Sequence, residues 1–96
     1  MLLNEKTEYV KSLADKLLAQ SPFDIKKIAV ENSYFIDSEE VPVLLVVCDE
    51  ANDYEWIAQA EMKLTSIVFP SVVKCVTKER YDNAYSKGRS QLVWEK

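Results

Sequence analysis

The chain has 96 residues, a net charge of −4 and not one histidine. That length fits one compact domain, and the missing histidine excludes Ser-His-Asp and Cys-His catalysis together with the commonest metal ligand. A single glycine, Gly88, is too few for a phosphate-cradling loop, which excludes a P-loop and a dinucleotide-binding fingerprint.

A domain of this size buries roughly 60–65% of the surface that its unfolded chain exposes, enough for one core. The apolar share of 48% and charged share of 29% describe an ordinary globule and not a disordered chain. The acidic balance sets general nucleic-acid binding aside, because duplex binding needs a basic face. The start, Met1-Leu2-Leu3-Asn4-Glu5-Lys6, has no signal-peptide pattern, and the longest apolar run, Val41 to Cys48, is far too short to span a bilayer. These features point to a cytoplasmic protein with no membrane contact. Cys48 and Cys75 each sit inside an apolar segment and read as buried thiols, since a free cysteine packs as a small hydrophobe.

Asn4 suits a helix N-cap, with Glu5 and Glu8 in the positive first turn. Val10, Leu13, Ala14, Leu17 and Leu18 then recur at helical spacing, which predicts a helix over about 5–20, stopped by Ser21-Pro22. Lys26-Lys27 mark the solvated start of the next segment. Residues 27–36 alternate with period two and predict a strand that puts Tyr34 and Phe35 on opposite faces. Asp37-Ser38-Glu39-Glu40 is a polar turn. Val43 to Cys48 is continuously apolar and valine-rich, the pattern of a strand buried on both faces, and the short link makes it antiparallel to the first. Asp49 to Asp53 form a loop with capping residues. Trp56, Ile57, Ala60, Leu64, Ile67 and Val68 give a helical stripe ended by Pro70, and Val72 to Thr77 a third strand. Strand, helix and strand with short links predict a parallel, right-handed crossover. Lys78 to Tyr85 suit a short helix and Gln91 to Trp94 a short edge strand. The fold class is therefore α/β (α+β): a small mixed sheet with helices packed on it, in the order α-β-β-α-β-(α)-(β), as one domain over 1–96.

This order, with Leu44-Leu45-Val46-Val47 inside an apolar strand, resembles the minimal nucleotidyltransferase domain over about 25–78. Members of that family carry a Gly-Ser pair after a first apolar strand, two carboxylates on the next strand and a third on a later one. Those carboxylates hold two metal ions that activate a hydroxyl and neutralise a triphosphate. Laid along this pattern, Asn32-Ser33 takes the place of the Gly-Ser pair, Val41 and Val43 those of the two aspartates, and Lys74 that of the third carboxylate. Valine cannot coordinate Mg²⁺, which needs oxygen ligands. What the resemblance implies is thus a nucleotidyltransferase-like pseudoenzyme, without cofactor, that works as the partner subunit of another protein.

The candidate binding residues are aromatic. Tyr34, Phe35, Tyr54, Trp56 and Trp94 are many large rings for a short chain, and core packing accounts for most of them. Tyr34, Phe35 and Trp94 are the interface candidates, with Trp94 an anchor for a protein partner or for self-association as a homodimer. Tyr81 and Tyr85 lie among Lys78, Arg80, Lys87 and Arg89, a mixture able to contact phosphates, although Glu79 and Asp82 dilute it. Asp49, Glu50 and Asp53 are weak metal candidates, for which capping of the following helix is the ordinary explanation. The main expectation is a non-catalytic interaction or regulatory module. The alternatives are a metal- or nucleotide-binding enzyme using displaced carboxylates such as Asp37, Asp49 and Asp53, or a nucleic-acid contact through the C-terminal basic stretch.

Overall fold

The computed structural model describes residues 3–36, 41–48, 53–85 and 88–96. Helix α1, Leu3–Gln20, runs along the sheet with Val10, Leu13, Ala14 and Leu17 turned inward. It begins two residues before the expected start, with Glu5 in its first turn. It stops where Ser21-Pro22 was expected to stop it, and there the Ser21 hydroxyl oxygen accepts the Phe23 N–H at 3.0 Å.

Strand β1, Ile25–Glu31, ends earlier than its alternating pattern predicts. Residues Ser33–Ile36 instead form one helical turn, α2. Two distant contacts bend the chain here. The Asn32 N–H donates to the Arg89 carbonyl at 3.0 Å and its side-chain amide donates to the Gly88 carbonyl. Lys6, buried in α1, donates from Nζ to the Tyr34 carbonyl at 2.6 Å and lies over the Tyr34 ring. Gly88 has φ +78, a backbone region that favours glycine, so the chain's one glycine sits where the turn into the last strand needs it. In consequence Tyr34 and Phe35 do not face opposite ways. Both pack on the main core, with ring centroids 5.4 Å apart.

Strand β2, Val43–Cys48, pairs antiparallel with β1, with Ile28 opposite Val46 and Ala29 opposite Leu45. Helix α3, Tyr54–Val68, starts from Asp53, whose carboxylate accepts the Trp56 N–H at 2.7 Å, the expected cap. Ala60, Leu64 and Val68 recur every fourth residue on its buried stripe. Strand β3, Val72–Val76, is parallel to β2, as the strand-helix-strand pattern requires. A helical segment follows, α4 at Lys78–Arg80 leading into a π-helical turn at Tyr81–Tyr85. Strand β4, Ser90–Glu95, pairs antiparallel with the far side of β1, giving the sheet order β3-β2-β1-β4. Val93 is an extra residue between the pairs Ile28–Trp94 and Ala29–Leu92, a bulge in the edge strand.

The observed class is a small α+β domain with a four-stranded mixed sheet. Helices α1 and α3 cover one face, enclosing Ile28, Val30, Leu44, Val46, Cys48, Val73 and Cys75. Among the described residues, the other face is covered by Tyr81 and Tyr85, over Ala29, Leu45, Val47 and Val76. Cys48 and Cys75 are both buried. No helix among the described residues is long and apolar enough to cross a membrane.

Candidate interaction surface

The aromatic residues singled out in the sequence do not converge on one surface. Tyr34 is 4% exposed and Tyr81 6% exposed, so neither offers its ring to a partner. Phe35 and Trp94 are half-buried against the helix-covered core, whereas Tyr85 is half-buried on the other face of the sheet. The apolar atoms of each ring find a core to join, and in a domain with two packed faces this takes up most large aromatics. Trp94 retains a wall of one small recess of about 200 Å³, shared with Leu18, Phe23 and Lys96. The Trp56 ring packs at 5.0 Å from that of Phe23, which ties the entry to β1 onto α3.

The acidic candidates have ordinary roles or fall outside view. Asp53 is the α3 cap. Asp37, Asp49 and Glu50 lie outside the described residues. No group of three or more His, Cys, Asp or Glu side chains among the described residues is arranged to hold a metal ion. At the positions where the resemblance would assemble carboxylates, Val41 is exposed, Val43 is half-buried, and the Lys74 ammonium lies 3.3 Å from Glu31 across the sheet. That arrangement is an ion pair beside aliphatic side chains. It offers one committed carboxylate where two-metal chemistry needs several oxygen donors.

The C-terminal basic residues are dispersed too. Lys78 lines a hollow beside β1 and the end of β4, Arg80 one at the start of α3, and Arg89 one beside Glu31 and Ser33. Lys87 lies outside the described residues. With Tyr81 buried, the stretch presents no ladder of exposed rings for stacking bases.

A different surface stands out, at the corner between α3 and β3. Met62 is 74% and Phe69 79% exposed, and with Ala58, Thr65, Ser66, Val72 and Val73 they border a groove of about 580 Å³. Single exposed apolar residues are commonplace, but several around one concavity are the usual mark of an interface. The groove floor is well ordered by side chains of α3. Thr65 Oγ1 accepts the Val73 N–H at 3.1 Å and Glu61 Oε1 accepts the Cys75 N–H at 3.0 Å. These bonds take up two N–H donors on the outer edge of β3. The sequence held a faint signal of this surface. Met62 falls off the Ala60-Leu64-Val68 stripe, and Phe69 lies beyond the end of α3 beside Pro70, so neither belongs to the buried face.

Charge states in the fold follow from burial and pairing. Burial pushes the Cys75 thiol up to about 12, with smaller contributions from Cys48 and Glu61. Burial also raises Tyr34. Hydrogen bonds from Lys26 and Lys96 lower Asp24, and a hydrogen bond to Glu95 raises Lys27. A thiol held so far above neutrality stays protonated at physiological pH, which makes Cys75 a poor nucleophile.

Comparison of the chain with models of protein families, with curated proteins and with solved structures found no match.

Proposed function

We propose that this chain is a non-catalytic interaction module that docks through the groove between α3 and β3, and that the occupant is a second copy of itself. The observation that carries the reading is the pairing of protruding Met62 and Phe69 with an open concavity on the same patch. A two-fold dimer sets the same patch against itself, so the patch must supply both knob and hollow. It must also avoid opposing like charges. Among the described residues, the only charged side chain lining the groove is Glu61, and its carboxylate accepts the Cys75 N–H. A patch with a single carboxylate, held against its own β3, keeps the repulsion between two copies small on a chain of net charge −4.

The order strand, helical turn, strand, helix, strand supports a degenerate relative of the minimal nucleotidyltransferase domain, with Asn32-Ser33 opening the turn. The valines at 41 and 43 and the Lys74–Glu31 pair support loss of the metal chemistry in such a relative. Nothing in the described geometry favours the displaced-carboxylate enzyme, since Asp53 is spent on capping.

Sedimentation velocity of the full chain over a range of concentrations tests the proposal. The expected result is a dimer that Phe69→Asp converts to monomer while leaving the circular dichroism spectrum unchanged, because Phe69 is exposed in the single chain. A wild-type protein that stays monomeric at millimolar concentration overturns self-association, and a Phe69→Asp dimer as tight as wild type overturns this surface.

A further inference from the structure

The second hollow that the sequence did not reveal is positive. Lys26 and Lys27 at the start of β1, Lys78 at the start of α4 and Lys96 beyond β4 line one pocket of about 390 Å³, with Val47 and Glu95. Four of the chain's lysines thus converge in a molecule whose net charge is −4. Carboxylates fix three of them in place. Asp24 binds Lys26 at 2.6 Å and Lys96 at 2.9 Å, and Glu95 binds Lys27 at 3.2 Å. The Lys27 ammonium also lies 5.3 Å from the centre of the Tyr81 ring and feels Asp82. An ammonium has three N–H donors, so at Lys27 and Lys96 the bond to a carboxylate leaves others to offer. Lys78 forms no ion pair with any described carboxylate. Among the described residues, four ammoniums stand against Glu95 on the wall and Asp24 and Asp82 beside it, a balance of one positive charge.

We infer that this pocket binds a compact, multiply charged phosphate such as a short polyphosphate. The chemistry selects that class for three reasons. Several point charges that surround a concavity suit an anion carrying several charges close together, since lysine acts on phosphate as a mobile point charge and not as a planar fork. Among the described residues, Val47 is the only apolar side chain on the wall and none of the large exposed apolar residues borders the pocket, which disfavours a lipid surface. The pocket lies against the carboxyl end of β2, on the side of a parallel strand pair where ligands gather in open α/β sheets. The side chains involved come from three separated stretches of sequence, and Lys26-Lys27 alone read as nothing more than a solvated strand start.

The test is calorimetric titration of the full chain with sodium tripolyphosphate at low salt, with amide chemical shifts followed in parallel. Binding is expected to shift the amides around Lys26, Lys27 and Lys78 and to weaken steeply as salt is added, because the contacts are electrostatic. Lys78→Gln, at an exposed position with no fold role, is expected to weaken binding roughly tenfold, and Lys78→Glu to abolish it. Lys63→Gln, on the exposed side of α3 and away from the pocket, is expected to bind as wild type does. Absence of binding at millimolar tripolyphosphate overturns the inference. So does a Lys63→Gln loss equal to that of Lys78→Gln, which would mean diffuse attraction to surface lysines.

Discussion

The two faces of the sheet are built from similar strands and meet different fates. One lies under α1 and α3, helices of 18 and 15 residues, and the core there includes Leu44, Leu64 and Val73 at 0–1% exposure. Among the described residues the other is capped over part of its width by Tyr81 and Tyr85. Away from that cap the second face carries the Lys74–Glu31 pair, and Leu92 stands 50% exposed. The same valine-rich β2 serves both, with alternate residues on each side. The difference teaches that burial is divided unequally between the two faces: the helix-covered face holds most of the core, while the second face keeps apolar and charged side chains at the solvent.

The largest effect expected from this division is at the covered face. Leu44→Ala should cost about 3 kcal/mol, as buried leucine truncations do when the cavity cannot collapse, measured by urea denaturation. Glu61→Ala should cost about 1–2 kcal/mol, because it leaves the Cys75 N–H without its acceptor, and Glu61→Gln should recover most of that. Leu92→Ala should cost about 0.5 kcal/mol or less, since the side chain is half in water already. A Leu92→Ala loss as large as that of Leu44→Ala would break the comparison and mean that the second face is covered in solution.

A pH series sharpens it further. Cys75 ionises near 12 in the fold and nearer 9 when unfolded, so its protonated state favours the folded chain. That contribution is complete below pH 9 and is lost as pH rises from there towards 12, and Tyr34 shifts in the same direction. Stability should therefore fall on the alkaline side in this window. Alkylation of the two buried thiols at pH 8 should be slow in the native chain and fast in denaturant, because the thiolate is the reacting form. Rapid native alkylation would show that the covered face opens readily.

Helices α1 and α3, strands β2 and β3 and their parallel pairing were legible in the sequence, because each rests on local periodicity, a cap or a stop. Asp53 as a cap was legible for the same reason, and the missing histidine and scarce glycine limited the chemistry without any structure. The interface candidates were less legible. Tyr34, Phe35, Tyr81 and Trp94 are large aromatics in a short chain, and whether such a ring is core or surface depends on which elements close over it.

Three features were decided by tertiary structure alone. The chain turns into α2 at Ser33 because contacts from Lys6 and to Gly88, 28 and 56 positions away, outweigh a local strand pattern. The groove at Met62 and Phe69 exists because α3 packs its other side on the sheet and ends at a corner. Lys26, Lys27, Lys78 and Lys96 meet because β1 lies between β2 and β4, which gathers the start of one strand and the ends of others at one rim. Periodicity records which way a residue faces within its own element; it carries no record of which distant residues the packing of those elements brings beside it.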